Sequence, residues 1–145
     1  MPKEHLNPSD LPNWADSFSQ IVVVHTGLTK TIYVSGQVAA DADNNVIGAG
    51  DLGRQVEVAL GNLATALAAV GARSADVVRV GIYIKDYRRE QAGVIHAGLA
   101  RVFDAGRMPA STWLGVTSLA LDDLLVEIEA TAVVEGEQDP DATES

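Results

Sequence analysis

Two glutamates in an otherwise apolar segment, Glu127 and Glu129 of VEIEATAVV, are the most informative acids in this sequence. Successive side chains of a strand alternate between its faces, so residues two apart share one face. A carboxylate on a covered face must be satisfied by an arginine, backbone donors or water. An edge strand with its polar side in solvent gives the same alternation. The pattern alone leaves a pocket acid and a solvated face equally open.

The other candidate motifs read more simply as structure. Gly48-Ala49-Gly50-Asp51-Leu52-Gly53 fits G-x-G-x-x-G ahead of a helix, yet only Val46 and Ile47 precede it as strand, and Asp51 would set a negative charge against a pyrophosphate. Asp41, Asp43 and Asn45 imitate the first ligands of a calcium loop, but Val46 stands where glycine is required and Leu52 where the bidentate glutamate belongs, so the segment reads as a turn. His5, His25 and His96 fall in three different elements without an i+4 partner, which predicts no metal site. Ser35-Gly36 lacks the strained elbow sequence of a hydrolase nucleophile, and no triad follows.

The elements that must position these residues are legible from periodicity. Residues 1–17, with Pro2, Pro8 and Pro12, read as an extended arm anchored by Leu11 and Trp14, with regular structure beginning after it. Phe18 to His25 and Thr31 to Ser35 are β-branched runs joined by a glycine-containing turn, a hairpin signature. Gly36 to Gly50 reads as a loop. From Asp51, an N-cap, Leu52, Val56, Leu60, Leu63, Leu67 and Val70 recur every three or four residues until Gly71 stops the helix. Val77 to Lys85 alternates as a strand, Glu90 to Ala105 carries a second helical stripe, and Ser111 to Thr117 and Leu124 to Val134 are two more strands.

The predicted order ββαβαββ describes an α+β sandwich with both helices on one sheet face. Gly81, Tyr83, Thr131 and Val133 then lie on the opposite face, too small or too apolar for a fully solvated sheet, so that face is expected to meet another subunit.

The chain has 145 residues, a net charge of −10 and no cysteine, which suits one domain and excludes disulfides, thiol nucleophiles and thiolate metal sites. Such a charge repels phosphate backbones, so no nucleic acid is expected as the main ligand. No apolar run approaches a membrane span and the start MPKEH lacks a signal-peptide core, giving a cytoplasmic expectation with no membrane partner. Glu135, Glu137, Asp139, Asp141 and Glu144 make residues 135–145 an acidic, disordered tail in this reading.

Taken together, Ser35-Gly36-Gln37 after a hairpin, a helix with Gln55 ending at Gly71, DVVRVGIYIKD (76–86), Met108-Pro109-Ala110 and VEIEATAVV (126–134) resemble the reactive intermediate deaminase family, also called RidA/YjgF or L-PSP endoribonuclease. The resemblance spans residues 18–134. It implies a chorismate-mutase-like fold, a homotrimer with small-molecule pockets at its subunit interfaces, and hydrolysis of enamines and imines, such as 2-aminoacrylate, released by pyridoxal-phosphate enzymes. It implies no metal and no cofactor. In typical members an arginine in P-A-R-S/T clamps the substrate carboxylate, and the second glutamate of I-E-I-E-A positions the attacking water.

Carried onto this chain, the water-positioning role falls to Glu129 as the catalytic residue, and the substrate-binding positions are Phe18, Ser35, Gly36, His96, Ser111, Thr112 and Trp113. The departures gather on the site. Ser111 stands in the arginine position and cannot supply a charged bidentate fork. Phe18 replaces a common tyrosine, His96 a common asparagine, and Trp113 a small residue. The expectation is therefore a family member acting on or binding imine- or enamine-type metabolites, with 2-imino acid deamination in doubt. A non-catalytic metabolite-binding trimer and a ribonuclease are the competing readings. Arg107, four residues before Ser111, is a candidate substitute cation.

Overall fold

The computed structural model describes residues 2–136; Glu135, expected to open the acidic tail, instead pairs with Thr29 at the end of the last strand, and the part of that tail from 137 onward lies outside the described residues. Its six strands are β1 (Lys3–Leu6), β2 (Ile21–Thr26), β3 (Thr29–Val38), β4 (Val77–Lys85), β5 (Ala110–Val116) and β6 (Val126–Glu135). Two helices, α1 (Leu52–Ala69) and α2 (Ala92–Val102), complete the fold. The strands form one sheet in the order β1-β2-β3-β6-β4-β5, antiparallel except for the β4–β5 pair. That one parallel pair follows from the connection, because α2 carries the chain back over the sheet between β4 and β5. The α+β class read from the sequence is the observed one.

One strand was missed. Regular structure does not wait for residue 18: Lys3–Leu6 lies along the sheet edge, with His5 opposite Val22 and Leu6 opposite Ile21. The prolines that flank this segment do not forbid an edge strand, which needs hydrogen bonds on one side only. The anchors act as read, Leu11 being fully buried and Trp14 half-buried. Strand β2 begins three residues later than the β-branched run suggested, because the Ser17 and Phe18 amides donate to the Trp14 carbonyl and hold a turn there.

Helix α1 behaves as its pattern requires. Asp51 accepts from the Arg54 amide at 3.0 Å, and Val56, Leu60, Leu63 and Leu67 are buried against the sheet, each worth about 1.5–3 kcal/mol in apolar transfer. Buried Gln55 ties the helix to the β6 entry: its amide donates to the Asp123 carbonyl at 2.8 Å and its oxygen accepts from the Leu125 amide at 2.8 Å. At the other end Lys30 donates to the Val70 carbonyl, a cation against the helix C-terminus. The second helix is shorter than the stripe suggested, since Arg89–Gln91 forms a 3-10 turn and Phe103 ends the helix ahead of Gly106.

Alternation along β6 decides what faces where. Val126, Ile128, Ala130 and Ala132 are buried on the helix side, which puts Glu127, Glu129, Thr131 and Val133 on the open side. Register adds Arg79, Gly81 and Tyr83 of β4 and, across the β4–β5 pair, Thr112 and Leu114. Tyr33 (51% exposed) and Leu114 (50%) are large apolar surfaces left on this open face.

Candidate functional site

Glu129 is seated by what its neighbours lack. On one side β3 carries a bulge: Val34 pairs with Ala130 and Gln37 with Ile128, so Ser35 and Gly36 together oppose Glu129. On the other side Glu129 faces Gly81 of β4. A Cβ at Gly81 would stand 2.6 Å from Glu129 Oε1, and one at Gly36 would overlap the Glu127 carboxylate. The two glycines open the room that the two carboxylates occupy.

The carboxylates have different surroundings. The Tyr83 hydroxyl donates a short hydrogen bond to Glu129 Oε1, and this bond, ahead of burial and the nearby acidic charges, raises the Tyr83 pKa. Glu127 has no donor among the described hydrogen bonds; desolvation, followed by the charge of Glu129, holds its carboxyl above the ordinary range. The open face therefore carries a hydrogen-bonded acid beside one that keeps its proton to higher pH, a division suited to proton transfer.

Two cavities flank Glu129, and both include Ser35 in their walls. The first, about 400 Å³, is walled by Trp14, Phe18, Leu121 and Leu124, with Glu127 and Gly36 also lining it. Trp14 and Phe18 stack at 6.1 Å between ring centres. Its floor is fixed by a buried relay in which Gln37 donates to the Gln20 side chain (2.7 Å), Gln20 to the Pro12 carbonyl (2.7 Å), and Ser35 to the Ser19 carbonyl (2.6 Å). Asn44 Oδ1, on the wall of this cavity, is buried without a partner among the described residues. The second cavity, about 320 Å³, is lined by Tyr33, Arg79, Gly81 and Thr131. These volumes suit small metabolites.

The structure thus brings Phe18, Ser35, Gly36 and Glu129 together within one chain. Thr112 is on the same face but beside Arg79, whose guanidinium donates to its hydroxyl at 3.3 Å. Ser111 and Trp113 alternate to the helix side of β5, where the Trp113 indole N–H donates to Ser111 Oγ at 2.9 Å and the ring packs against the core. His96 is exposed on α2 in the helix layer. Arg107 lies past the end of α2, in a hollow with Ser74 and Phe103 rather than near Glu129. Sequence reasoning passed over Gln20, Asn44 and Arg79 as site residues. Of these only Arg79 had a usable signal, its place on the same strand face as Gly81.

The motifs judged structural are absorbed locally. Asp41 accepts from the Asn45 and Asp43 amides at 2.9 Å each, and the Asn45 hydrogen bonds lower its pKa. The helix after the glycine-rich segment is capped by its own Asp51. His25 pairs with Glu4 at 3.0 Å across β1 and β2.

A six-stranded mixed sheet with two helices on one face and an acid seated between a bulge and a glycine is the frame of a known family. The family profile described as Endoribonuclease L-PSP matches residues 9–134. The chain belongs to this family, the Rid or RidA/YjgF proteins, as the sequence resemblance indicated. It is 29% identical over 134 residues to a protein of Dermatophagoides farinae named 2-iminobutanoate/2-iminopropanoate deaminase, covering 92% of this chain and 98% of that one. A protein of the same name from Rattus norvegicus is 29% identical over 128 residues, covering 88% of each. Among solved structures, YyfB of Yersinia pestis, described as a conserved Rid-family protein of unknown function, is 34% identical with a TM-score of 0.70, covering 92% of this chain and all of that one. No helix among the described residues is long and apolar enough to cross a membrane.

Proposed function

We propose that this protein hydrolyses imines or enamines in the cavity beside Glu129, without a cofactor. The observation that carries the reading is the seat of Glu129 between the Ser35-Gly36 bulge and Gly81, with Tyr83 holding one oxygen. Glu129 takes a proton from water as the oxygen bonds to the imine carbon, giving a carbinolamine. A proton then goes to the nitrogen, the C–N bond breaks, the carbonyl forms and the amine leaves. That proton is the one Glu129 took from water, which restores the carboxylate, while Glu127 lines the same cavity. An enamine first takes a proton on carbon to become the imine. The names of the Dermatophagoides and Rattus relatives support this chemistry class.

Ser111 makes the usual arginine clamp unavailable, so small 2-imino acids are poor substrates in this reading. The exposed Tyr33 and Leu114 on the open face support a homotrimer that covers them. Ser111, Trp113 and His96 then reach a cavity only across a subunit boundary. A cytoplasmic location, where such intermediates arise, belongs to the same proposal. The ribonuclease implied by the family description is disfavoured by the net charge of −10 and two acids on the site face. The test is ammonia release from freshly generated imines of several amino acids, with and without the protein. Acceleration for at least one imine supports hydrolysis; binding of the matching keto acid with no acceleration for any imine would make the protein a metabolite binder instead.

A further inference from the structure

We propose that Arg79 is the ligand-anchoring cation of this site, and that the ligand is an amphipathic anion whose charged group lies at Arg79 while its apolar body fills the Trp14–Phe18 cavity. The proposal deepens the reading above and rests on it for the place of the reacting centre at Glu129.

Three observations carry it. First, Arg79 and Glu129 line the same cavity, and Glu129 and Ser35 border both cavities, so a single small molecule can span them past the carboxylate. On β4, Arg79 is two residues from Gly81, which faces Glu129, and this sets their backbones about 7 Å apart along the strand. Second, within a single chain the guanidinium is exposed and forms no ion pair among the described residues; its one described hydrogen bond goes to neutral Thr112 Oγ1 at 3.3 Å. Four donors of its fork remain for a carboxylate or similar anion. Third, the two cavities differ in kind. The first is walled by stacked aromatics and leucines, whereas the second places Arg79 beside Tyr33 and Thr131.

Such a site discriminates by length. An anion without an apolar body engages Arg79 but leaves the first cavity empty, and a neutral apolar molecule does the reverse. The ligand class that satisfies both is a 2-imino acid with a bulky aromatic or branched side chain, or its keto acid product.

The experiment uses phenylpyruvate as the probe, titrated into the full chain by calorimetry and followed by the fluorescence of Trp14 and Trp113. Phenylpyruvate is expected to bind about tenfold or more tightly than either pyruvate or methyl phenylpyruvate. Arg79→Ala should remove that preference over the ester, and Arg79→Lys should restore part of it. Glu129→Gln should keep or strengthen binding, since it removes a like charge beside the anion. Equal affinity of wild type and Arg79→Ala for phenylpyruvate, with both folded by circular dichroism, would overturn the proposal, as would an ester that binds as well as the acid. Because the probe is not hydrolysed, loss of imine turnover in the wild type bears on the hydrolase reading alone.

Discussion

Gly81 of β4 and Glu129 of β6 face each other across the sheet, and the glycine's missing side chain is the space into which the carboxylate folds: a Cβ there would lie 2.6 Å from Oε1. Gly81→Ala should therefore push Glu129 off Tyr83 while leaving the core intact, because the open face is not where the helices pack. The expected result is a loss of turnover of about a hundredfold with a modest change in melting temperature, since a displacement near 1 Å has that cost when geometry sets the rate. Measured kcat unchanged within twofold would show that the seat is not what holds the acid.

Tyr83→Phe keeps the ring and removes only the hydroxyl that Glu129 accepts from. A hydrogen bond to a charged group is worth about 1.5–3 kcal/mol, so turnover should fall by about tenfold or more once the carboxylate loses the donor that orients it. Turnover by Tyr83→Phe within twofold of wild type would remove Tyr83 from the site. The tyrosine's own raised pKa adds stability that is present below pH 10 and fades as pH rises through the folded-state value.

Glu127 contributes with the same sign, in the acid range. Its carboxyl is raised in the fold, by burial first and by Glu129 second, so the native state binds more protons than the unfolded one between the two pKa values. Stability is then highest below the unfolded value and falls as pH rises through the folded one. Glu127→Gln should raise the melting temperature at pH 7 and give no gain at pH 3.5. A destabilised variant at pH 7 would mean that the ionised form has a partner, for instance one supplied across a subunit boundary.

Much of this architecture was legible because it is periodic. The spaced leucines of α1 and the alternation of β6 and most of β4 placed the faces correctly, failing only at the start of β4, where a register shift between Val77 and Arg79 buries Val77 and leaves Val78 exposed; Glu127 and Glu129 were singled out by breaking an apolar run. What periodicity cannot carry is register. The bulge that sets both Ser35 and Gly36 against Glu129, and the parallel pairing that turns Ser111 and Trp113 away from it, depend on how many residues oppose one another across strands. Arg107 was singled out by its nearness to the motif in sequence, yet it lies on a different part of the molecule, whereas Arg79 lines a cavity with Glu129. The edge strand Lys3–Leu6 was hidden by its charge and its neighbouring prolines, neither of which an edge excludes.

The open face predicts assembly. Light scattering should give about 46 kDa, three times the 15.2 kDa chain, and Leu114→Asp, which charges an exposed apolar residue on that face, should shift the species toward monomer. A monomer at micromolar concentration for the wild type would dispose of the trimer and of any pocket shared between subunits.

The role of Glu129 is tested most directly by ammonia release from a freshly generated imine of a bulky amino acid, compared between wild type and Glu129→Gln. The substitution keeps size and removes the base, so hydrolysis should fall at least about a hundredfold while phenylpyruvate still binds. Hydrolysis by Glu129→Gln at the wild-type rate would contradict the assignment of the attacking water to this carboxylate.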